Sequence, residues 1–310
     1  MQKVVEKFLI DNDISSCLVA VGFSAGPDSV ALATILNELK DKFNLELVLA
    51  YFNHMWRKEA LFEEEFTLEF AKKIGAKTYI KRAIFEGKQT EETARDLRYE
   101  FFQNCSKEFN LKHIFLAHNK NDNIETLVYR LIKGTSINGL RTIPEVRDIF
   151  YRPLLDVQKS EILDFLKERK LEFMVDSSND DTKYKRNLIR HEILPLFEKI
   201  NPKYLNSIEN LIINSKETYE IVQNSIEKTK KEIFIDENNI DYYKFISLQT
   251  PYRLEILNDF IGKYLKYRNR KNLLMYDDFI LQNKHSRISL NSDYFLRTRW
   301  KKIFIEKAKR

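Results

Sequence analysis

Apolar positions in the first half of the chain follow two alternating rhythms. Short continuous runs occur at Cys17 to Val21, Leu45 to Tyr51, Thr78 to Ile80 and Ile114 to Ala117. Between them lie longer stretches, Val30 to Leu39, Glu63 to Ile74, about Thr90 to Phe109 and about Asp122 to Ile132, with the three-to-four-residue spacing of helices. The alternation predicts βαβ units and an α/β fold built on a doubly wound parallel sheet. Ligands in such sheets sit beyond the carboxyl ends of the strands, so the turns after Val21, Phe52 and Ala117 are where chemistry is expected.

Beyond Leu155 the rhythm is helical. Ser160 is the expected cap of a helix over Glu161 to Lys170, and the polar run Asp176 to Asp181 interrupts the pattern. A long mixed helix is predicted from Asn206 to Lys231. Alternating aromatic and charged residues follow, at Tyr242 to Phe245 and Tyr264 to Arg268, and the chain ends in a strand-like, basic stretch from Arg297 to Glu306. A length of 310 residues accommodates two cores. The expected division is a nucleotide-handling domain over 1–205 and a helical linker with a smaller α+β domain over 206–310.

Charge sharpens this division. Positions 1 to 200 hold 31 basic and 32 acidic residues, whereas positions 201 to 310 hold 21 and 14, so the excess of positive charge lies in the last third. A neutral front followed by a basic tail suits a catalytic domain joined to one that meets a polyanion. The amino terminus has scattered charges and no apolar run, which leads us to expect a cytoplasmic protein with no membrane partner. Two distant cysteines, Cys17 and Cys105, form neither a disulfide framework nor a metal pair.

The turn after the first strand reads Gly22-Phe23-Ser24-Ala25-Gly26-Pro27-Asp28-Ser29 and opens directly into a helix. Small residues at a strand-to-helix turn aim backbone N–H groups and a helix dipole at an anion. Ser24 and Ser29 add hydroxyl donors, and Asp28 is the candidate Mg2+ ligand. The turn lacks the lysine of the terminal-phosphoryl-transferring loop, and its glycines do not fit the dinucleotide fingerprint. Alanine at position 25 is tolerable only where a positive φ is not required.

Other sets of residues abut the expected strand ends and helix starts: Asn53-His54, Ala94-Arg95-Asp96-Leu97-Arg98-Tyr99, and His118-Asn119-Lys120-Asn121-Asp122-Asn123-Ile124-Glu125-Thr126. Arg152-Pro153-Leu154-Leu155, Asp176-Ser177-Ser178-Asn179 and Arg186-Asn187-Leu188-Ile189-Arg190-His191-Glu192 follow in order. Asp122 and Glu125, three apart, share a helix face near its positive end, where two carboxylates can hold an ammonium group. Arg95 and Arg98 are likewise three apart and can present two cations to a phosphate or carboxylate. Taken singly, the acids read as ordinary first-turn residues and the arginines as partners in surface ion pairs.

The loop resembles the S-G-G-x-D-S turn of the ATP pyrophosphatase, or PP-loop, superfamily, with Ala25 replacing a glycine. The ordered set over roughly the first 200 residues resembles the tRNA(Ile)-lysidine synthetases. The resemblance implies an adenine nucleotide alpha hydrolase-like sheet and a ligase in the family's short form. Such an enzyme would use ATP and Mg2+ to adenylate the wobble cytidine of tRNA(Ile) with a CAU anticodon, then join L-lysine to C2 and release AMP and pyrophosphate. It further implies ATP contacts from Ser24, Ala25, Gly26, Pro27, Asp28, Ser29, Asn53 and His118, and lysine binding by Asp122 and Glu125. Asp28, Asp122, Glu125 and Arg98 are the catalytic candidates, and Arg95 and Arg190 the candidates for tRNA or phosphate contact. Asn119 and Asn121, where the family often has histidine and aspartate, leave a second metal without support. Two rivals stay open: another PP-loop tRNA-modifying enzyme, and a non-catalytic tRNA-binding protein with a degenerate loop. A homodimer also stays open.

Overall fold

The computed structural model describes residues 1–53, 60–83, 91–175, 183, 185–265, 269–282 and 286–308. The expectations placed on His54, on Asp176 to Asp181 and on Arg268 lie outside them. The described residues divide into two compact units, Met1–Ser215 and Lys216–Arg310.

In the first unit the order is α1 (Gln2–Asp11), β1 (Cys17–Phe23), α2 (Pro27–Phe43), β2 (Leu45–Asn53), α3 (Ala60–Ile74), β3 (Lys77–Arg82), α4 (Glu91–Glu108), β4 (Ile114–Leu116) and α5 (Lys120–Lys133). There follow α6 (Ile137–Leu140), β5 (Val146–Arg147), β6 (Phe150–Tyr151), α7 (Lys159–Glu168), α8 (Lys185–Leu188) and α9 (Leu194–Ile200), with a π-helical turn at Ile189–Ile193 between the last two. The long helix α10 (Tyr204–Ile233) comes next.

The sheet runs β3-β2-β1-β4-β6-β5, parallel except for the edge strand β5. Period-two alternation feeds β1 into two cores. Val19, Val21 and Phe23 pack with α1, α2 and α7, whereas Ala20 packs with Phe101, Phe102 and Cys105 of α4. Burial on both faces explains why the strand reads as one apolar run. Because the chain crosses from β1 to β2 on one side and β4 lies on the other, the order reverses between β1 and β4. The loops leaving those two strands therefore open onto one crevice.

Two local expectations need correcting. The cap of α7 is Gln158, which shares a capping box with Glu161, so Ser160 lies inside the first turn. Ala25 adopts φ 57, in the left-handed region that an alanine is expected to avoid. The helix α1, absent from the periodic stretches, is held by Val5, Phe8 and Leu9, spaced three and four apart on its buried side.

The second unit continues with β7 (Phe234–Asp236), β8 (Asn239–Asp241), α11 (Tyr242–Ile246), α12 (Thr250–Gly262), α13 (Arg270–Leu281), β9 (Arg287–Ser289), β10 (Tyr294–Arg299) and β11 (Lys302–Lys307). Its antiparallel sheet runs β7-β8-β11-β10-β9 over a core that includes Phe245, Ile256, Leu257, Ile280, Leu296 and Ile303. The stretch from Arg297 to Glu306 is thus not one strand but most of a hairpin. Arg299 pairs with Lys302, and Trp300 and Lys301 alone form the turn.

Candidate active site

The turn between β1 and α2 closes on itself through Ser29. Its Oγ accepts from the Ser24 backbone N–H at 3.2 Å and donates to the Gly26 carbonyl at 2.9 Å, while the Ser24 hydroxyl lies 3.3 Å away. Gly26 caps the helix, Pro27 occupies its first turn, and Asp28 follows there, where the dipole favours a carboxylate. The carbonyl of Ala25 accepts from the Met174 N–H at 2.9 Å. That bond holds the buried Ala25 in its left-handed turn, at a cost of about 1–2 kcal/mol for a non-glycine residue.

Across the crevice Asn119 caps α5. Its side chain accepts from the Asp122 N–H at 3.1 Å, and Asp122 accepts in return from the Asn119 N–H at 3.0 Å. The Asn119 amide also donates to Asp28 at 3.1 Å, which ties the loop to the acidic helix start. Lys159, at the start of α7, donates to both Asp28 oxygens at 2.8 and 2.7 Å. Its own backbone N–H donates to Asn121 at 3.0 Å. The two asparagines that depart from the family pattern therefore anchor three helix starts to one another.

Glu125, with 3% of its side chain exposed, receives a forked pair from Arg190: Nε to Oε1 at 2.6 Å and Nη2 to Oε2 at 3.0 Å. Asp122 lies 3.8 Å from the same guanidinium. Burial raises the Asp122 carboxyl to about 6; Glu125 and Asp28 push the same way, against the Asn119 N–H and Arg190. Arg190, expected to meet tRNA or a phosphate, is here the counter-ion of the acidic pair.

His118 leaves β4 among cations. Burial pushes its imidazole down to about 3, with Arg152, Arg98, Arg186 and Arg95 adding to the effect, so the ring is neutral and its buried Nδ1 has no hydrogen-bond partner. Tyr99 reports the same field: burial would raise its hydroxyl, but Arg147, Arg95, Arg152 and Arg98 outweigh it and lower it. Arg152 is 2% exposed and donates to the Pro144 carbonyl at 2.9 Å. One buried arginine, Arg152, and the exposed Arg95, Arg98, Arg147 and Arg186 beside a neutral histidine make a positive surface that suits a polyanion.

Asn53 ends β2, the strand next to β1 in the sheet. It is fully buried, and its amide donates to the Ala60 carbonyl and to Glu64, both at 3.3 Å. Lys159 and Arg152 were missed as site residues. The signal available for Lys159 was its place at a helix start, where the dipole disfavours a cation unless an acid meets it.

A family model described as the PP-loop domain matches residues 1–197. The chain belongs to the PP-loop family. Among relatives of this PP-loop chain is a tRNA(Ile)-lysidine synthase of Clostridium perfringens (strain 13 / Type A), 35% identical over 77% of this chain and 53% of its own length. Another, from Thermosipho africanus, is 33% identical over 85% and 60%. The chain spans a little over half the length of these curated relatives. Among solved structures, the U34-tRNA thiolase NcsA of Methanococcus maripaludis shares the fold, with a TM-score of 0.58 and 18% identity over 71% of this chain and 77% of that one.

In the PP-loop turn the carboxylate available to a magnesium ion is that of Asp28. Among the described residues no group of three His, Cys, Asp or Glu is placed to hold a metal ion. A magnesium ion carried largely by substrate phosphates needs only one or two carboxylates, and Asp28 fits that requirement once Lys159 releases it. No helix among the described residues is long and apolar enough to cross a membrane.

Proposed function

We propose that this chain adenylates the wobble cytidine of a CAU-anticodon tRNA(Ile) with ATP and then joins free L-lysine to C2 of that base, releasing pyrophosphate and AMP. The observation that carries the reading is one path of hydrogen bonds and ion pairs from loop to acids. Asp28 meets Asn119, Asn119 caps and is capped by Asp122, and Asp122 shares Arg190 with Glu125. A site for inner phosphates and a site for a cationic amine thus lie side by side, which a ligation between an adenylated base and lysine requires.

In the first step the cytidine O2 attacks the α phosphorus and the bond to the bridging oxygen breaks. Backbone N–H groups of Ala25, Gly26, Asp28 and Ser29 and the dipole of α2 receive the negative charge that develops, while Lys159 and the arginines around His118 supply cations. Asp28 would hold magnesium, which when bound adds further positive charge against the departing pyrophosphate. In the second step the ε-amine attacks C2, the C2–O2 bond breaks and AMP leaves with O2. Asp122, titrating near neutrality, takes the proton that the amine loses. Arg190 holds the place of the substrate ammonium between Asp122 and Glu125 until lysine enters.

Residues 1–205 would carry both steps, and the basic region 206–310 would hold tRNA. The relatives named as lysidine synthases support this reading over another PP-loop tRNA modification. The test is incubation with ATP, radiolabelled lysine and tRNA(Ile) bearing CAU: label enters the tRNA with stoichiometric AMP. Bound tRNA without label would instead favour the non-catalytic rival.

A further inference from the structure

The hairpin turn joining β10 to β11 departs from its own local rule. Two-residue hairpin turns with positive φ at both positions strongly prefer Asn-Gly, because bulky side chains resist the left-handed region. Here the two positions are Trp300, at φ 55, and Lys301, at φ 61. The ring is not there to fill a core, since Trp300 is 68% exposed, and neighbouring Tyr243 is 58% exposed. Arg299 lies over the Trp300 ring at 4.2 Å and Lys301 over the Tyr243 ring at 5.9 Å. The Tyr242 N–H donates to the Lys301 carbonyl at 2.9 Å, which fixes the turn against α11.

Together Tyr243, Trp300, Arg299, Lys301 and Lys302 line a cavity of about 480 Å³. Thr298 lines it too; it is 1% exposed, and its Oγ1 has no hydrogen-bond partner. The acid closest in register, Asp241 opposite Lys302, is engaged in capping α11 by accepting from the Lys244 N–H at 2.9 Å. The cavity thus combines two exposed aromatic rings, each with a cation over one face, and three cations. That set matches an unpaired nucleobase with its flanking phosphates: the ring faces turned away from the cations stack on the base, and the cations meet the backbone.

We propose that Trp300 and Tyr243 form a stacking platform for an unpaired base of RNA, and that the strained turn is retained because it presents the Trp300 ring. The inference concerns the second unit and does not depend on the ligation chemistry, although tRNA would be its natural ligand under that reading.

The test uses the full chain and a fluorescently labelled single-stranded oligoribonucleotide, with binding read by anisotropy. Trp300→Ala should weaken binding about tenfold, within the range that stacking one base contributes, while leaving the salt dependence unchanged. Trp300→Phe should recover most of the loss. Lys301→Ala with Lys302→Ala should instead flatten the salt dependence. The decisive variant is Trp300→Asn with Lys301→Gly, which relieves the turn: its thermal midpoint should rise while RNA binding falls. Equal RNA binding by wild type, Trp300→Ala and the relieved turn overturns the proposal, as does a loss that appears only in the lysine variants. If wild type fails to label tRNA with lysine while Trp300→Ala still loses oligoribonucleotide binding, the ligase reading fails and this one stands.

Discussion

Lys159, the first residue of α7, places its ammonium 2.7 Å from Asp28, in the first turn of α2. The pair bridges two helix starts, and the side chains keep 34% and 27% of their surface in solvent, so it adds little to stability. Under the proposed function its value lies in charge beside the nucleotide-binding turn. Lys159→Met is expected to lower pyrophosphate release from ATP by about a hundredfold. The same change should move the urea-unfolding free energy by no more than about 1 kcal/mol. Intact turnover with a large fall in stability would assign the residue to scaffolding instead.

The Arg190–Glu125 fork is a different kind of pair, because Glu125 is almost wholly buried. Removing only the guanidinium strands a carboxylate, and Arg190→Met is expected to cost about 2 kcal/mol, below the usual loss for a fully buried pair because Arg190 is 39% exposed. The double change with Glu125→Gln should cost less than the two single changes summed. Saturating L-lysine should stabilise Arg190→Met more than wild type, since its ammonium can replace the missing cation. Urea titrations of the four proteins with and without lysine measure all three effects.

Asp122 provides a pH signature with a definite sign. Its folded carboxyl is raised from 3.8 to about 6, mainly by burial, so its contribution favours the fold at low pH and is lost as pH rises through that interval. Asp122→Asn should therefore be more stable than wild type at pH 7 to 8, with the difference closing below about pH 4. Lysine transfer by wild type should rise through about pH 6, and the variant should lose most of its turnover. A stability gap that widened on acidification would contradict the burial argument.

Ala25 offers a test of the phosphate turn itself. Glycine at φ 57 avoids the left-handed penalty but adds freedom to the unfolded chain, and the first effect is the larger. Ala25→Gly is expected to stabilise the protein by up to about 1 kcal/mol in urea unfolding. Destabilisation would mean that the Ala25 methyl group, fully buried, packs better than the turn's strain costs.

Much of the sheet was legible because parallel strands buried on both faces must be apolar throughout, and β1, β2 and β4 carry that signature. The hairpin of β10 and β11 was not, since its turn residues carry none of the usual signals and Trp300-Lys301 reads as strand. Asp28, Asp122 and Glu125 were legible from their places at helix starts; Arg190 was legible as a residue, but not as the partner of Glu125.

What the sequence determined by itself was periodicity and local chemistry: which segments become strands or helices, and which helix starts carry acids or small residues. These depend on contacts a few positions apart. Only the tertiary structure decided that Asp28 faces Lys159 across 131 positions and that Arg190 closes over an acid 65 positions away. Such pairings follow from the adjacency of β1 and β4 in the sheet, and strand adjacency is set by the packing of whole layers, which no short-range pattern encodes.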